Sequence, residues 1–211
     1  MDKRGKFIVI DGMDGSGKGT QIKMLREKLK DTSTVFSREP GGSPLGEEIR
    51  EMLLRQEGNP SNPASDFFLF FASRASHITD TVEPARQRGV DVISDRYDSS
   101  TFAFQIFGEE RHELADLFDA VRGNLDPKLY HPDLYIFLDL PSEVAYARRS
   151  GDATQAKSKF DIKPVEYHER TRLGFNSFAQ HYGPAQFVNA ERTPDEIHAD
   201  IWAIVSRELG L

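Results

Sequence analysis

The residues with the most evident chemistry in this chain of 211 residues are Gly12-Met13-Asp14-Gly15-Ser16-Gly17-Lys18-Gly19-Thr20. Glycines allow a turn tight enough for successive peptide N–H groups to converge on an anion, and Lys18 adds a movable ammonium. The apolar run Phe7-Ile8-Val9-Ile10 precedes the loop, and Thr20-Gln21-Ile22-Lys23-Met24-Leu25 follows it with apolar residues at helical spacing. A strand, a glycine loop and a helix N-terminus in that order make a site for a nucleotide triphosphate. A glycine-rich turn without function would explain neither the lysine nor the flanking elements.

Other charged residues follow apolar, β-branched stretches. Thr34-Val35-Phe36-Ser37 leads into Arg38-Glu39-Pro40-Gly41-Gly42-Ser43-Pro44, Val90-Asp91-Val92-Ile93-Ser94 into Asp95-Arg96-Tyr97, and Leu134-Tyr135-Ile136-Phe137-Leu138 into Asp139-Leu140-Pro141. Each reads as a strand that ends in a loop. In a parallel sheet their carboxyl ends gather Asp11, the glycine loop, Arg38, Glu39, Asp95, Arg96 and Asp139 along one edge, the edge at which such sheets bind ligands. Arginines and carboxylates facing a polyphosphate loop suggest a second bound anion and a hydrated Mg²⁺, the constellation of a phosphoryl transferase. Plainer readings stand beside this one. Asp95 and Arg96 could be an ion pair closing a strand, and Phe70 could be core. Arg74, one turn beyond Phe70, favours a ring that stacks on a base whose edge the cation reads. The histidines are scattered, form no metal pattern and read as surface or structural; Trp202 reads as core.

The elements that must position these groups alternate. The first helix is expected to run to about Lys30. A second carries Leu45, Ile49, Met52 and Leu53 on one face, and a third opens at Ser65 or Asp66 and runs through Phe67-Phe68-Leu69-Phe70-Phe71, a run rich enough in phenylalanine to predict burial on more than one side. Helices over about Ser142–Arg149 and Pro164–His181, a strand at Gln186-Phe187-Val188, and a last helix capped by Thr193 complete the pattern. The fold class predicted is α/β: a three-layer P-loop NTPase fold with a parallel sheet of about five strands covered by helices on both faces. One domain spans 1–211, with a polar, aperiodic lid at about 150–161. A net charge of −7 argues against a surface that coats nucleic acid, and the lack of cysteine excludes disulfides, thiolate metal sites and a cysteine nucleophile. With neither a signal-peptide pattern nor an apolar stretch of membrane-spanning length, the expected location is cytoplasmic, with no membrane partner.

Taken together, Phe7–Gly12 into the loop, Arg38-Glu39-Pro40-Gly41-Gly42, Leu69-Phe70-Phe71-Ala72-Ser73-Arg74, Asp95-Arg96-Tyr97 with Ser99-Ser100-Thr101, and Pro132-Asp133-Leu134 resemble the thymidylate kinase family over nearly the whole length. The resemblance implies an enzyme that transfers the γ-phosphate of ATP to dTMP, with Mg²⁺ as cofactor and a homodimer as the assembly. It implies that Gly12, Met13, Asp14, Gly15, Ser16, Gly17, Lys18, Gly19 and Thr20 hold ATP, with Arg148 on the adenine and Asn189-Ala190 beside it. It further implies that Phe70 stacks on thymine, Arg74 bonds its exocyclic oxygen, Thr101 and Gln105 lie at the base edge, and Arg96 holds the monophosphate with Arg38 or Arg50. Glu39, Ser100 and Phe104 complete the acceptor site, and Asp14 engages the sugar hydroxyl and the catalytic machinery.

Departures from the family pattern sharpen the expectations. Gly19 stands where the general loop places a Mg²⁺-binding hydroxyl, which directs attention to Thr20 and Asp95. Gly15 resembles the bacterial branch that draws its catalytic cation from the lid, where this chain offers Lys157 and Lys159. Ser73 replaces an acidic or amide neighbour of Arg74, and Phe104 lacks a hydroxyl near the sugar. The rival readings are a kinase for another nucleotide or nucleoside, and a nucleotide switch; the chain contains no Asn-Lys-x-Asp sequence for reading guanine.

Overall fold

A computed structural model describes residues 4–55, 62–124, 130–151 and 163–211. Most of the expected lid, including Lys157 and Lys159, lies outside them. The sheet has five parallel strands: β1 (Phe7–Gly12), β2 (Val35–Arg38), β3 (Val92–Asp95), β4 (Leu134–Asp139) and β5 (Ala185–Asn189), in the order β2-β3-β1-β4-β5. β1 is central and buried along its whole length, as a strand covered on both faces must be. Register aligns the chemistry. Ile10 and Arg38 both pair with Asp95, Gly12 pairs with Leu138, and Asp139 with Asn189. The charged strand ends therefore meet at one edge.

The helices are α1 (Lys18–Lys28), α2 (Pro44–Leu54), α3 (Pro63–His77), α4 (Glu83–Gln87), α5 (Asp98–Thr101), α6 (Ala115–Asn124), α7 (Ser142–Gly151), α8 (Val165–His181) and α9 (Pro194–Leu209). α3 opens earlier than expected, because Asn62 Oδ1 accepts from the Ala64 and Ser65 amides and Pro63 fills the first turn. Its phenylalanines are not all buried. Phe67 is enclosed in the core, Phe68 is 57% exposed and Phe70 is half-buried, so the run wraps round the helix rather than marking an interior on several sides. α9 carries a capping box, with Thr193 Oγ1 accepting from the Glu196 amide and Glu196 accepting from the Thr193 amide. Trp202 is only partly buried, packed on the core from its rim with Lys28 over the ring at 5.5 Å.

α5 widens into a π-helical turn over Phe102–Gly108, where the Glu109 amide reaches back to the Phe104 carbonyl and the Arg111 amide to that of Ile106. Such turns are uncommon and cluster at functional sites. This one lies along α8, and the two segments approach closely at Gly174, where a Cβ would stand 2.7 Å from Ala103 Cα. The close approach brings Phe104 and Gln105 onto the same side as the glycine loop.

Candidate active site

A cavity of about 670 Å³ opens along the carboxyl edge of the sheet. One end is walled by Asp14, Gly15, Gly17, Lys18, Gly19, Thr20, Arg148 and Arg149, the other by Glu39, Arg50, Phe70, Arg74, Phe104 and Gln105, with Asp95, Arg96 and Ser100 between them.

The loop end is built for anions. Gly15 and Gly17 adopt positive φ (84° and 89°), which a Cβ would disfavour, and Gly15 also backs onto the Ala145 carbonyl. Lys18 is 7% exposed, and its ammonium is held by the Gly12 and Met13 carbonyls at 2.9 and 2.7 Å. Burial, then the Arg96 guanidinium, lower its pKa from 10.5 to about 8. A triphosphate seated here would restore the charge. Below pH 8 the ammonium is already in place, whereas between pH 8 and 10.5 the empty site holds a neutral amine and binding must take up a proton. ATP affinity is therefore expected to be flat below pH 7 and to fall by up to about tenfold per pH unit above 8. Calorimetric titration with ATP in buffers of different ionisation enthalpy checks this, and the proton uptake should vanish in Lys18→Met.

Arg96 occupies the centre. Its backbone takes φ 70°, rare for a side chain of this size, and this turns the guanidinium onto the loop. Nη1 donates to Asp11 Oδ1 at 3.0 Å, the Gly12 carbonyl at 2.9 Å and Ser100 Oγ at 3.0 Å, and Nη2 donates to Asp14 at 2.6 Å, while the Phe104 ring lies 5.1 Å from the guanidinium carbon. Desolvation opposes its charge, but Asp14, Asp11 and Asp95 outweigh that and raise its pKa above the ordinary value. Asp11 is fully enclosed and also accepts from Ser99 Oγ at 2.6 Å and Ser100 Oγ at 2.9 Å; burial raises its carboxyl, against the pull of Arg96 and Lys18. The plainer reading, Asp95 and Arg96 as an ion pair closing a strand, is not what forms: the guanidinium pairs with Asp11 and Asp14 instead, and it lines the cavity together with Asp95.

At the far end, Arg74 is 2% exposed. Nε donates to Glu39 Oε2 and Nη2 to Thr101 Oγ1, both at 2.9 Å, leaving Nη1 buried with no hydrogen-bond partner among the described residues. A buried guanidinium nitrogen without an acceptor is costly, which makes it a candidate contact for a ligand's carbonyl. Ser73 has a role that its type did not announce: its hydroxyl accepts from the Gly41 amide at 3.1 Å and ties the loop after β2 to α3.

Some expected residues stand apart from the cavity. Arg38 is exposed and donates to Glu47 at 2.8 Å, whereas Arg50 lines the cavity with Nη1 on the Pro40 carbonyl, so of the two clamp candidates Arg50 has the position. Gly12, Met13 and Ser16 form the loop's inner side, and Thr101 acts on Arg74 from behind the wall. Asn189 turns its side chain onto the Glu191 amide; Arg148 donates to the neighbouring Ala190 carbonyl at 2.9 Å and does line the cavity. Lys23, Leu54 and Tyr97 line it without having been singled out. Their positions one turn along α1, at the end of α2 and next to Arg96 are the signals that could have found them.

A family profile described as Thymidylate kinase matches residues 10–201. The chain belongs to the thymidylate kinase family. It is 38% identical over 205 residues to Thymidylate kinase of Thermomicrobium roseum, covering 95% of this chain and 94% of that protein. Over 208 residues it is 38% identical to Thymidylate kinase of Cupriavidus metallidurans, covering 96% and 98%. The solved structure of thymidylate kinase from Ehrlichia chaffeensis superposes with a TM-score of 0.75 at 24% identity, over 96% of this chain and 99% of that one, and shows the shared fold. No helix among the described residues is long and apolar enough to cross a membrane.

Proposed function

We propose that the two ends of the cavity are the donor and acceptor halves of one site, in which the chain phosphorylates dTMP from ATP, a step of thymidine nucleotide biosynthesis. Family membership carries the reaction. The observation that supports its placement here is the opposition of a lysine-bearing glycine loop to a half-buried phenylalanine and a guanidinium with an unused donor. In this reading Gly12–Thr20 bind the polyphosphate, Arg148 and the Asn189-Ala190 segment border the adenine, and Phe70 stacks on thymine with Arg74 and Gln105 at its edge. Arg96 and Arg50 hold the acceptor phosphate, and Ser100 and Phe104 border it.

A phosphate oxygen of dTMP attacks the γ-phosphorus as the bond to the β,γ-bridging oxygen breaks, and the pair leaves with ADP. Such a transfer asks for alignment and charge neutralisation more than for covalent chemistry. Lys18 follows the transferring group and Arg96 the acceptor oxygens. Asp14, in contact with Arg96, is placed to orient both that guanidinium and the acceptor sugar. Lys157 and Lys159, outside the described residues, or Arg149 at the cavity wall, supply further positive charge.

The donor set suits Mg²⁺. Among the described residues, Asp95 Oδ1 is buried without a hydrogen-bond partner at the cavity wall, Thr20 offers a hydroxyl there, and no cluster of three carboxylates or imidazoles forms a protein-only cage. Mg²⁺ keeps several waters and takes much of its shell from substrate phosphates, so one carboxylate and a hydroxyl are a sufficient protein share. When bound, it supplies charge neutralisation at the β- and γ-phosphates. We infer that the chain folds as one domain over 1–211, in line with its single sheet, and works in the cytoplasm, where this nucleotide chemistry draws on ATP. A homodimer fits the exposed apolar side chains Leu45 and Met52 on α2 and Phe68 on the adjoining α3.

Phe70→Ala tests the acceptor half. Loss of one stacked base face costs about 1–3 kcal/mol, so KM for dTMP should rise roughly tenfold or more with KM for ATP unchanged. A shift in the ATP constant instead would put Phe70 outside the acceptor site.

A further inference from the structure

Glu39 is buried, and each of its carboxylate oxygens has one neighbour. Arg74 Nε donates to Oε2 at 2.9 Å, and His77 Nδ1 lies 2.9 Å from Oε1. Both partners come from α3, three residues apart, where a helix places side chains on one face. A carboxylate paired with arginine has only lone pairs to offer, so His77 Nδ1 carries the proton and donates. The imidazole is wholly enclosed, and the loop after β2 is wound round it. A Cβ on Gly42 would come within 2.6 Å of His77 Cδ2, and the Gly42 carbonyl is held from the other side by Thr81 Oγ1 at 2.6 Å. The guanidinium of Arg74 is thus fixed at Nε by Glu39 and at Nη2 by Thr101, with the Phe71 and Tyr97 rings 5.0 and 5.1 Å from its carbon, and among the described residues Nη1 has no partner and is left to meet a ligand.

We infer that His77 is a positioning residue for base selection: its Nδ1–H holds the Glu39 carboxylate, which in turn aims Arg74 Nη1 at the acceptor edge of the nucleotide's base. The inference rests on the reading of Arg74 as the residue that meets that edge. Without the imidazole donor, Oε1 is left without a partner in a buried site, and the carboxylate is free to turn toward any polar group that can satisfy it. Arg74 then loses its fixed direction. A donor held in one direction favours a base with a carbonyl at that edge over one with an amino group there. A loose donor discriminates less.

The test uses His77→Phe, which keeps a flat ring and removes the donor, and His77→Asn, whose amide nitrogen can stand where Nδ1 stood. Steady-state constants are measured for ATP, dTMP and dCMP, with thermal melts as a check of folding. His77→Phe is expected to raise KM for dTMP about tenfold or more, without moving KM for ATP, and to narrow the preference for dTMP over dCMP; His77→Asn should restore most of both. A folded His77→Phe enzyme with the parental dTMP constant and preference overturns the inference, as does a loss spread over kcat and both substrates that asparagine does not rescue. If the phenylalanine variant fails to fold, His77→Gln replaces it, since its amide reaches the Nε2 position and not Nδ1; equal dTMP constants for the glutamine and asparagine enzymes then overturn the inference. Arg74→Lys separates the two layers. An unchanged dTMP constant there removes the base-reading role of Arg74 itself, whereas a raised constant with a silent His77→Phe removes only the part assigned to His77.

Discussion

Lys18→Ala is expected to cut kcat by roughly a hundred- to a thousandfold or more while the enzyme stays folded, because a preorganised cation acting on the transferring group in a water-poor site is worth several kcal/mol of transition-state stabilisation. The geometry explains why folding should survive. The ammonium bonds the Gly12 and Met13 carbonyls of its own loop, and its lowered pKa reflects burial that the neutral form tolerates better. Removing it relieves a buried charge, and the Gly12 carbonyl keeps its bond from Arg96 Nη1. Single-turnover transfer with the variant at saturating ATP and dTMP measures the effect directly. A variant with kcat within tenfold of the parent would show that other cations carry the transition-state charge, with Arg149 and the lid lysines as the first to examine.

Arg96 is different, because in the proposed site it is at once an acceptor contact and a structural ion. Arg96→Ala should raise KM for dTMP far more than KM for ATP, and it should also destabilise the fold, since Asp11, fully enclosed, loses its charge partner. Breaking a buried pair from one side costs about 3–5 kcal/mol. Protonation offsets part of that cost, since burial already pushes the Asp11 carboxyl upward, so stability lost by the alanine variant should be partly regained as pH falls toward the raised carboxyl value. Arg96→Lys separates the roles. It keeps a charge near Asp11 and Asp14 but cannot bond Asp11, the Gly12 carbonyl, Ser100 and Asp14 with one rigid fork, so the fold should recover before dTMP binding does. Thermal melts at pH 5 and 8, together with the two KM values, check both effects. A selective rise in the ATP constant would place Arg96 on the donor instead.

These expectations draw on features that were legible in the sequence to different degrees. The glycine loop and the strand ends were readable because local rules determine them: a β-branched run must be a strand, a glycine series must turn, and parallel register then brings Arg38, Asp95, Asp11 and Asn189 to one edge. Segment 98–124 shows no readable period in the sequence. Phe102, Ala103, Phe104, Ile106 and Phe107 are apolar at nearly every step, and a π-helical turn abolishes the helical period that would have exposed it. Arg38 and Arg50 looked equivalent by type. Only the Glu47 carboxylate, one turn into α2, decides that Arg38 is drawn outward to solvent. His77 reads in the sequence as one of six scattered histidines, because its partner Glu39 lies in a different element and no spacing rule connects them. Ser73, too, was noted as a departure at the position before Arg74. Its bond to Gly41 depends on how the loop after β2 folds back over α3.

The central claim, that the cavity pairs an ATP site with a site shaped for thymidine monophosphate, is tested most directly by a coupled assay at fixed ATP and Mg²⁺ across dTMP, dUMP, AMP, GMP and CMP. The highest kcat/KM is expected for dTMP, with dUMP behind it because the carbonyl edge proposed to face Arg74 is kept while contact area at Phe70 is reduced. A higher kcat/KM for AMP or CMP, or ATP hydrolysis without transfer to any of the five, would contradict it.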